Sequence, residues 1–222
     1  MRRRCSGRPA WGNVRRVSDL QCAAVLLVAR HGHAHEPEPG DDGDLGLTSD
    51  GVAQACAFAD SLRGRRVAGL FTSTLRRAVE TGAVVGAELG LEPEALAGLV
   101  EFDLGPDAQT PDGEAAAVQV MRRWVAGDLD AALPGGESGT RVVDRFRDAA
   151  EEIADRFRGE TVLVVSHGGV MSLVLPHLAA GQPGMTGERW IPPCGVAEVH
   201  VDADGWSLRT WPGSTDVTVA GH

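Results

Sequence analysis

Three continuous apolar runs of strand length occur along the chain, at residues 24–29, 67–71 and 161–165. Continuous rather than alternating apolar character predicts strands covered on both faces. Between them the apolar spacing lengthens to that of a helix. Thr48 is placed to cap a helix reaching Leu62, with Val52, Ala55, Phe58, Ala59 and Leu62 along one face. A second helix is predicted over 75–89, closed by Gly90. In a third, over 140–157, Val142, Val143, Phe146, Ala150, Ile153 and Phe157 recur at helical spacing. Its other face alternates Arg with Asp and Glu, as a solvated face does. A short apolar helix follows Gly169 and runs to Ala179. Residues 197–202 and 206–211 flank Asp204-Gly205, a hairpin signal.

Strand and helix alternation of this kind predicts an α/β protein, a three-layer α/β/α sandwich around a mostly parallel central sheet. The late hairpin supplies one antiparallel strand. Residues 103–138 break the rhythm, with Gly, Pro and acidic residues around a single helix candidate at 114–125. They read as an inserted lid, where substrate specificity would reside. Residues 1–20, which begin with three arginines after Met1, read as a mobile basic arm or an upstream start artefact. Residues 21–222 then form a single domain carrying that insert. The apolar run at 22–28 is short, sits late and lacks a small-residue cleavage site, unlike a secretory signal. No stretch approaches the roughly 20 apolar residues of a membrane span. A soluble, cytoplasmic protein without a membrane partner is expected.

Composition narrows the picture further. A chain of 222 residues can bury roughly 70% of its unfolded surface and needs no metal or disulfide to stand. Its four cysteines are far apart and form no CxxC pair, which suits reduced cytosolic thiols. All 21 basic residues are Arg, with neither Lys nor Tyr present, a compositional mark of a GC-rich, bacterial genome. The net charge of −10 argues against nucleic acid as a partner. Any anion site must therefore concentrate its positive charge locally.

Such a concentration is legible at the strand ends. Arg30 and His31 follow the first strand, Ser73 and Arg76 the strand at 67–71, and Ser166 and His167 the strand at 161–165. Open parallel sheets bind ligands outside the carboxyl ends of their strands. Arginine suits an oxyanion because its planar fork makes paired, charge-assisted hydrogen bonds. Gly32, Gly168 and Gly169 let backbone and ligand approach closely, and Gly169 opens a helix whose N-terminus attracts anions.

Six motifs then fall in a familiar order. They are Arg30-His31-Gly32; Leu47-Thr48-Ser49-Asp50-Gly51 with Gln54-Ala55; Thr72-Ser73-Thr74-Leu75-Arg76-Arg77-Ala78 with Glu80-Thr81; Glu101-Phe102-Asp103-Leu104-Gly105; Gly136-Glu137-Ser138; and Ser166-His167-Gly168-Gly169. Over residues 24–202 the chain resembles the histidine phosphatase (phosphoglycerate mutase-like) superfamily, phosphatase branch. The resemblance implies a phosphoglycerate mutase-like fold and a metal-independent phosphoric monoester hydrolase without a cofactor. It implies that His31 is the nucleophile, that Arg30, Arg76 and His167 hold the phosphoryl group with Gly32 and Gly168 beside it, and that Glu101 protonates the leaving oxygen. These roles suit phosphoryl transfer, which needs positioning and neutralisation of three equatorial oxygens. Flanking arginines should lower the pKa of His31 and keep it neutral. His33 and Glu137 are candidates for the pocket rim, although a solvated loop is the plainer reading for His33 and His35.

The chain also departs from the family pattern. His33-Ala34 follows Arg30-His31-Gly32 where many relatives have Glu or Gln and then Thr or Ser, and Ala34 resembles the small bacterial phosphohistidine phosphatases. The Trp-Asn pair of cofactor-dependent mutases is missing, and Pro192-Pro193-Cys194 replaces a loop Asn. Two rival readings stand beside this one: a metal hydrolase built on His31, His33 and His35, and a non-catalytic phospho-ligand binder. A barrel-type metal hydrolase needs about 250 residues and more strands than this chain offers. The expected partner is a small-molecule phosphate ester, with a protein phosphohistidine as the alternative. Oligomeric state is not written in the sequence; exposed Trp residues near the end would suit a homodimer.

Overall fold

The structure, a computed structural model, describes residues 22–36, 44–179 and 191–212. The arm at 1–20 lies outside the described residues. In chain order the elements are β1 (Ala24–Arg30), α1 (Ser49–Ser61), β2 (Gly69–Thr72), α2 (Arg76–Leu89), β3 (Pro93–Ala95), α3 (Pro111–Val125), α4 (Gly139–Arg156), β4 (Thr161–Ser166), α5 (Gly168–Leu178), β5 (Val196–Asp202) and β6 (Gly205–Thr210).

Six strands form one sheet in the order β3-β2-β4-β1-β5-β6. β1 pairs parallel with β4, β4 with β2, and β2 with β3. β5 runs antiparallel to both β1 and β6 and is the single reversed strand. Along β1, Leu26 and Val28 face one core, shared with α4 and α5, while Leu27 and Ala29 face a second, shared with α1 and α2. That two-sided burial is why the strand reads as a continuous apolar run. The expected mixed α/β sheet with helical layers on both faces is what folds.

Three expectations change in detail. Val52 is 42% exposed, while Ala55, Phe58, Ala59 and Leu62 turn into the core as expected. β3 was not expected, because Pro93-Glu94-Ala95 has no apolar period; it forms on the edge, where Pro costs no ladder bond. Trp211 is buried and Trp206 is half-buried, its indole N–H donating to Glu151 on α4. These two tryptophans therefore give no support to the expected dimer. Among the described residues, no helix is long and apolar enough to cross a membrane.

The segment at 103–138 is docked rather than loose. Val120 and Trp124 of α3 are buried in the larger core, and the Trp124 indole N–H donates to the Ala131 carbonyl at 2.8 Å. Gly139 lies so close that an added Cβ would sit 2.9 Å from the Trp124 ring. Ser138 caps α4 by accepting from the Arg141 N–H, two residues before the start expected from Thr140.

Candidate active site

β1, β2 and β4 lie side by side in the sheet, so their C-terminal tips bring Arg30, Ser73 and His167 to one place. His31 follows directly from β1 and is only 8% exposed. Its Nδ1 is 2.6 Å from the Gly32 carbonyl oxygen. A carbonyl can only accept, so the neutral ring carries its proton on Nδ1 and keeps a lone pair on Nε2. Burial pushes the His31 pKa down to about 4, aided by the charges of Arg77 and Arg30 and opposed by the Gly32 contact. The ring is therefore neutral at pH 7, with desolvation rather than the flanking arginines as the first cause.

The arginine brought to that lone pair is Arg77, not Arg76. Arg77 donates its Nε–H to Nε2 of His31 at 3.2 Å. Arg76 is exposed and bonds Glu80 at 2.7 Å, while Glu80 also accepts the Leu47 N–H. Consecutive helix positions are turned about 100° apart, so the two arginines serve different faces. The helical period held the signal. Ala78, Thr81, Gly82 and Val85 form the buried face of α2, and Arg77 lies one turn before Thr81.

Thr81 is a further residue that the strand tips did not suggest. Its buried hydroxyl accepts the Gly32 N–H at 3.0 Å and donates to the Arg77 carbonyl at 2.7 Å. One side chain thus ties the His31 loop to the helix carrying Arg77. Gly51 presses on the same loop, since a Cβ there would lie 2.0 Å from the His33 carbonyl oxygen.

His167 is fully buried, and its ring centroid is 5.1 Å from that of His31. Its Nε2 lies 2.6 Å from Ser73 Oγ, which also accepts the Leu75 N–H. Its Nδ1 has no hydrogen-bond partner among the described residues. Burial, then the nearby His31, Arg77, Arg145 and Arg30, hold its pKa well below the usual imidazole value. Arg30 donates to the Ile191 carbonyl at 2.7 Å, and an added Cβ on Gly168 would meet its stem at 3.2 Å.

Glu101 sits where the sequence led us to expect free helix N–H groups. Its carboxylate accepts from the N–H groups of Gly169 at 2.9 Å and Val170 at 2.6 Å, occupying the N-terminus of α5. Desolvation raises its pKa, against these bonds and the charge of Arg77. Glu137 forms a two-bond ion pair with Arg145. His33 is exposed, with Nδ1 3.0 Å from Thr48 Oγ1, and among the described residues no three His, Cys, Asp or Glu are gathered to hold a metal. In place of the family Asn, Cys194 takes a left-handed backbone (φ 58°) and donates its N–H to the Arg30 carbonyl.

A neutral, buried imidazole faced by an arginine and a second histidine at the tips of a parallel sheet suits phosphoryl transfer. The family profile described as "Histidine phosphatase superfamily (branch 1)" matches residues 26–213. The chain belongs to the histidine phosphatase superfamily. It is 28% identical over 197 residues to phosphoglycerate mutase-like protein 4 of Arabidopsis thaliana, covering 85% of this chain and 84% of that one. It is 29% identical over 171 residues to the metal-independent phosphoserine phosphatase of the same plant, covering 74% and 70%. Among solved structures, a mycobacterial glucosyl-3-phosphoglycerate phosphatase in complex with VO3 superposes with a TM-score of 0.67 at 26% identity, covering 86% of this chain and 99% of that one. Members of the superfamily and these relatives are phosphatases or mutases acting on phosphate esters. This histidine phosphatase accordingly carries a phosphoglycerate mutase-like fold.

Proposed function

We propose that this enzyme hydrolyses a phosphate monoester of a small metabolite, without a metal, through a phosphohistidine on Nε2 of His31. The observation that carries the reading is the pairing at that atom. Nδ1 is committed to Gly32, and Nε2 keeps its lone pair 3.2 Å from the Arg77 guanidinium. Phosphoryl oxygens arriving there take over the Arg77 donors. Arg30 and the Nδ1–H of His167 supply further positive or donor groups as charge spreads over the equatorial oxygens. His167 presents that N–H when Ser73 donates its hydroxyl proton to Nε2.

The Nε2 lone pair attacks phosphorus, and the bond to the ester oxygen breaks. The departing oxygen takes the proton of Glu101, whose raised pKa suits it to be an acid. Water then attacks the phosphohistidine, Glu101 accepts its proton, and the P–N bond electrons return to Nε2. Each Glu101 oxygen bonded to an α5 N–H keeps a second position for that proton. The named activities of the phosphoserine and glucosyl-3-phosphoglycerate phosphatases favour a small metabolite over a phosphoprotein. The docked segment at 103–138 is the proposed carrier of substrate selectivity.

The test is hydrolysis of an aryl phosphate in excess EDTA, with His31→Ala as control and acid-labile, base-stable phosphate on the quenched protein as the second readout. Metal-free turnover that vanishes in the variant, with phosphate trapped on wild type alone, supports the reading. Turnover that survives in His31→Ala refutes it. A phosphohistidine peptide run alongside reports the protein-directed alternative.

A further inference from the structure

Arg145 projects from α4 into the loop that carries Glu101, and its guanidinium divides its donors between backbone carbonyls and one carboxylate. Nη1 donates to the carbonyls of Gly98 at 2.9 Å and Val100 at 2.8 Å, and Nη2 to the carbonyl of Glu101 at 3.3 Å. The remaining donors, Nε and Nη2, meet the two carboxylate oxygens of Glu137 at 2.9 and 3.0 Å. Glu137 in turn accepts the Asp103 N–H at 3.1 Å and donates its own N–H to the Asp103 carbonyl at 2.7 Å. The backbone is therefore gripped before, at and after Glu101 by one ion pair. Gly136 allows the close approach, since a Cβ there would lie 2.5 Å from the Leu104 carbonyl oxygen.

We infer that the Arg145–Glu137 pair is a positioning device for the proton donor, acting through the backbone of Glu101. The inference rests on the reading of Glu101 as the acid. Glu101 belongs to no helix or strand, so nothing in regular structure fixes its distance from the ester oxygen. Its carboxyl end is held by the start of α5 and its backbone end by Arg145, and only the two together set where the proton is delivered. The pair is 17–20% exposed, which shields it from solvent screening and makes two-point geometry worth having. A small displacement of a catalytic group costs rate far out of proportion to the stability lost.

A leaving-group series separates this role from a merely structural one. Departure of a dinitrophenolate needs no acid, whereas departure of unsubstituted phenolate does. In Arg145→Lys and Glu137→Gln, kcat/KM for phenyl phosphate, which reads only the steps up to phosphoenzyme formation, should fall about 10- to 100-fold, while kcat/KM for dinitrophenyl phosphate stays within about threefold. Affinity for inorganic phosphate should change little, and Glu101→Gln should show the same slope. Adding Arg145→Lys to Glu101→Gln should cost nothing more on phenyl phosphate. Thermal unfolding run in parallel identifies any variant that fails to fold, and Glu137→Gln, which keeps its volume, carries the test if Arg145→Lys does fail. Equal losses across the series, or none, overturn the positioning role while leaving Glu101 as the acid. A flat series in Glu101→Gln, or no turnover by wild type, overturns the reading of Glu101 and the inference together.

Discussion

The Nε of Arg77 lies 3.2 Å from Nε2 of His31, the proposed nucleophilic atom. Its sequence neighbour Arg76 spends its charge on Glu80 at the surface. Arg77→Ala should lower kcat/KM by about 10²–10³, the usual cost of one donor to a developing oxyanion. Arg76→Ala should leave kcat within a few-fold and cost at most about 1 kcal/mol of stability, as exposed i,i+4 pairs do. Steady-state kinetics and urea unfolding of both variants make the comparison.

The pH profile follows from two opposed shifts. His31 must be neutral to attack, so kcat/KM should rise with pH through about 4. Glu101 must be protonated to assist departure, so the rate should fall as pH rises through its elevated pKa. Glu101→Gln should lose the alkaline limb and keep the acid one. Stability carries the same signature for His31. Its folded pKa is depressed from 6.5 to about 4, so its contribution is complete above 6.5 and is lost as pH falls across that window. Chemical denaturation of wild type and His31→Asn at several pH values should show a larger loss in wild type, since the buried His167 contributes a loss of the same sign to both.

Thr81 holds the Gly32 N–H and the Arg77 carbonyl with one buried hydroxyl. Thr81→Val keeps the shape and strands the buried Gly32 N–H, while the Arg77 carbonyl keeps its helical bond, so about 1–3 kcal/mol of stability should be lost together with most of kcat. Thr81→Ser keeps the hydroxyl and should recover both. An unaltered kcat in Thr81→Val would sink the proposed coupling between the two loops.

The Ser73 hydroxyl lies 2.6 Å from Nε2 of His167, where it can set which ring nitrogen carries the proton. With its hydroxyl donating to Nε2, the ring presents Nδ1–H, and nitrogen chemical shifts of labelled histidine should report that tautomer. In Ser73→Ala the shifts should move toward a mixture, and affinity for inorganic phosphate should weaken. A spectrum unchanged by the substitution would mean that other contacts set the tautomer.

Much of this protein is readable before folding. Residues 24–29 and 161–165 announce central strands because burial on two faces leaves no polar position. Thr48 and Gly90 mark helix ends through cap chemistry that is local in the chain, and the structure shows both caps. The six ordered motifs likewise carried the family, because strand tips in a parallel sheet converge whatever the loops do.

Tertiary structure decided the rest, where the determining partner is remote in sequence. Arg76 and Arg77 are equivalent as text; the packing of α2 against the sheet gives one to His31 and the other to solvent. Glu137 read as a rim residue because its motif lies beside the pocket in other chains, yet its charge is claimed by Arg145, eight residues away on α4. The start of α5 read as an anion site and receives a carboxyl group, from Glu101, 68 residues earlier. Local pattern determines elements because caps and periods are short-range; it cannot say which of two neighbouring charges meets a partner that only the assembled sheet brings near.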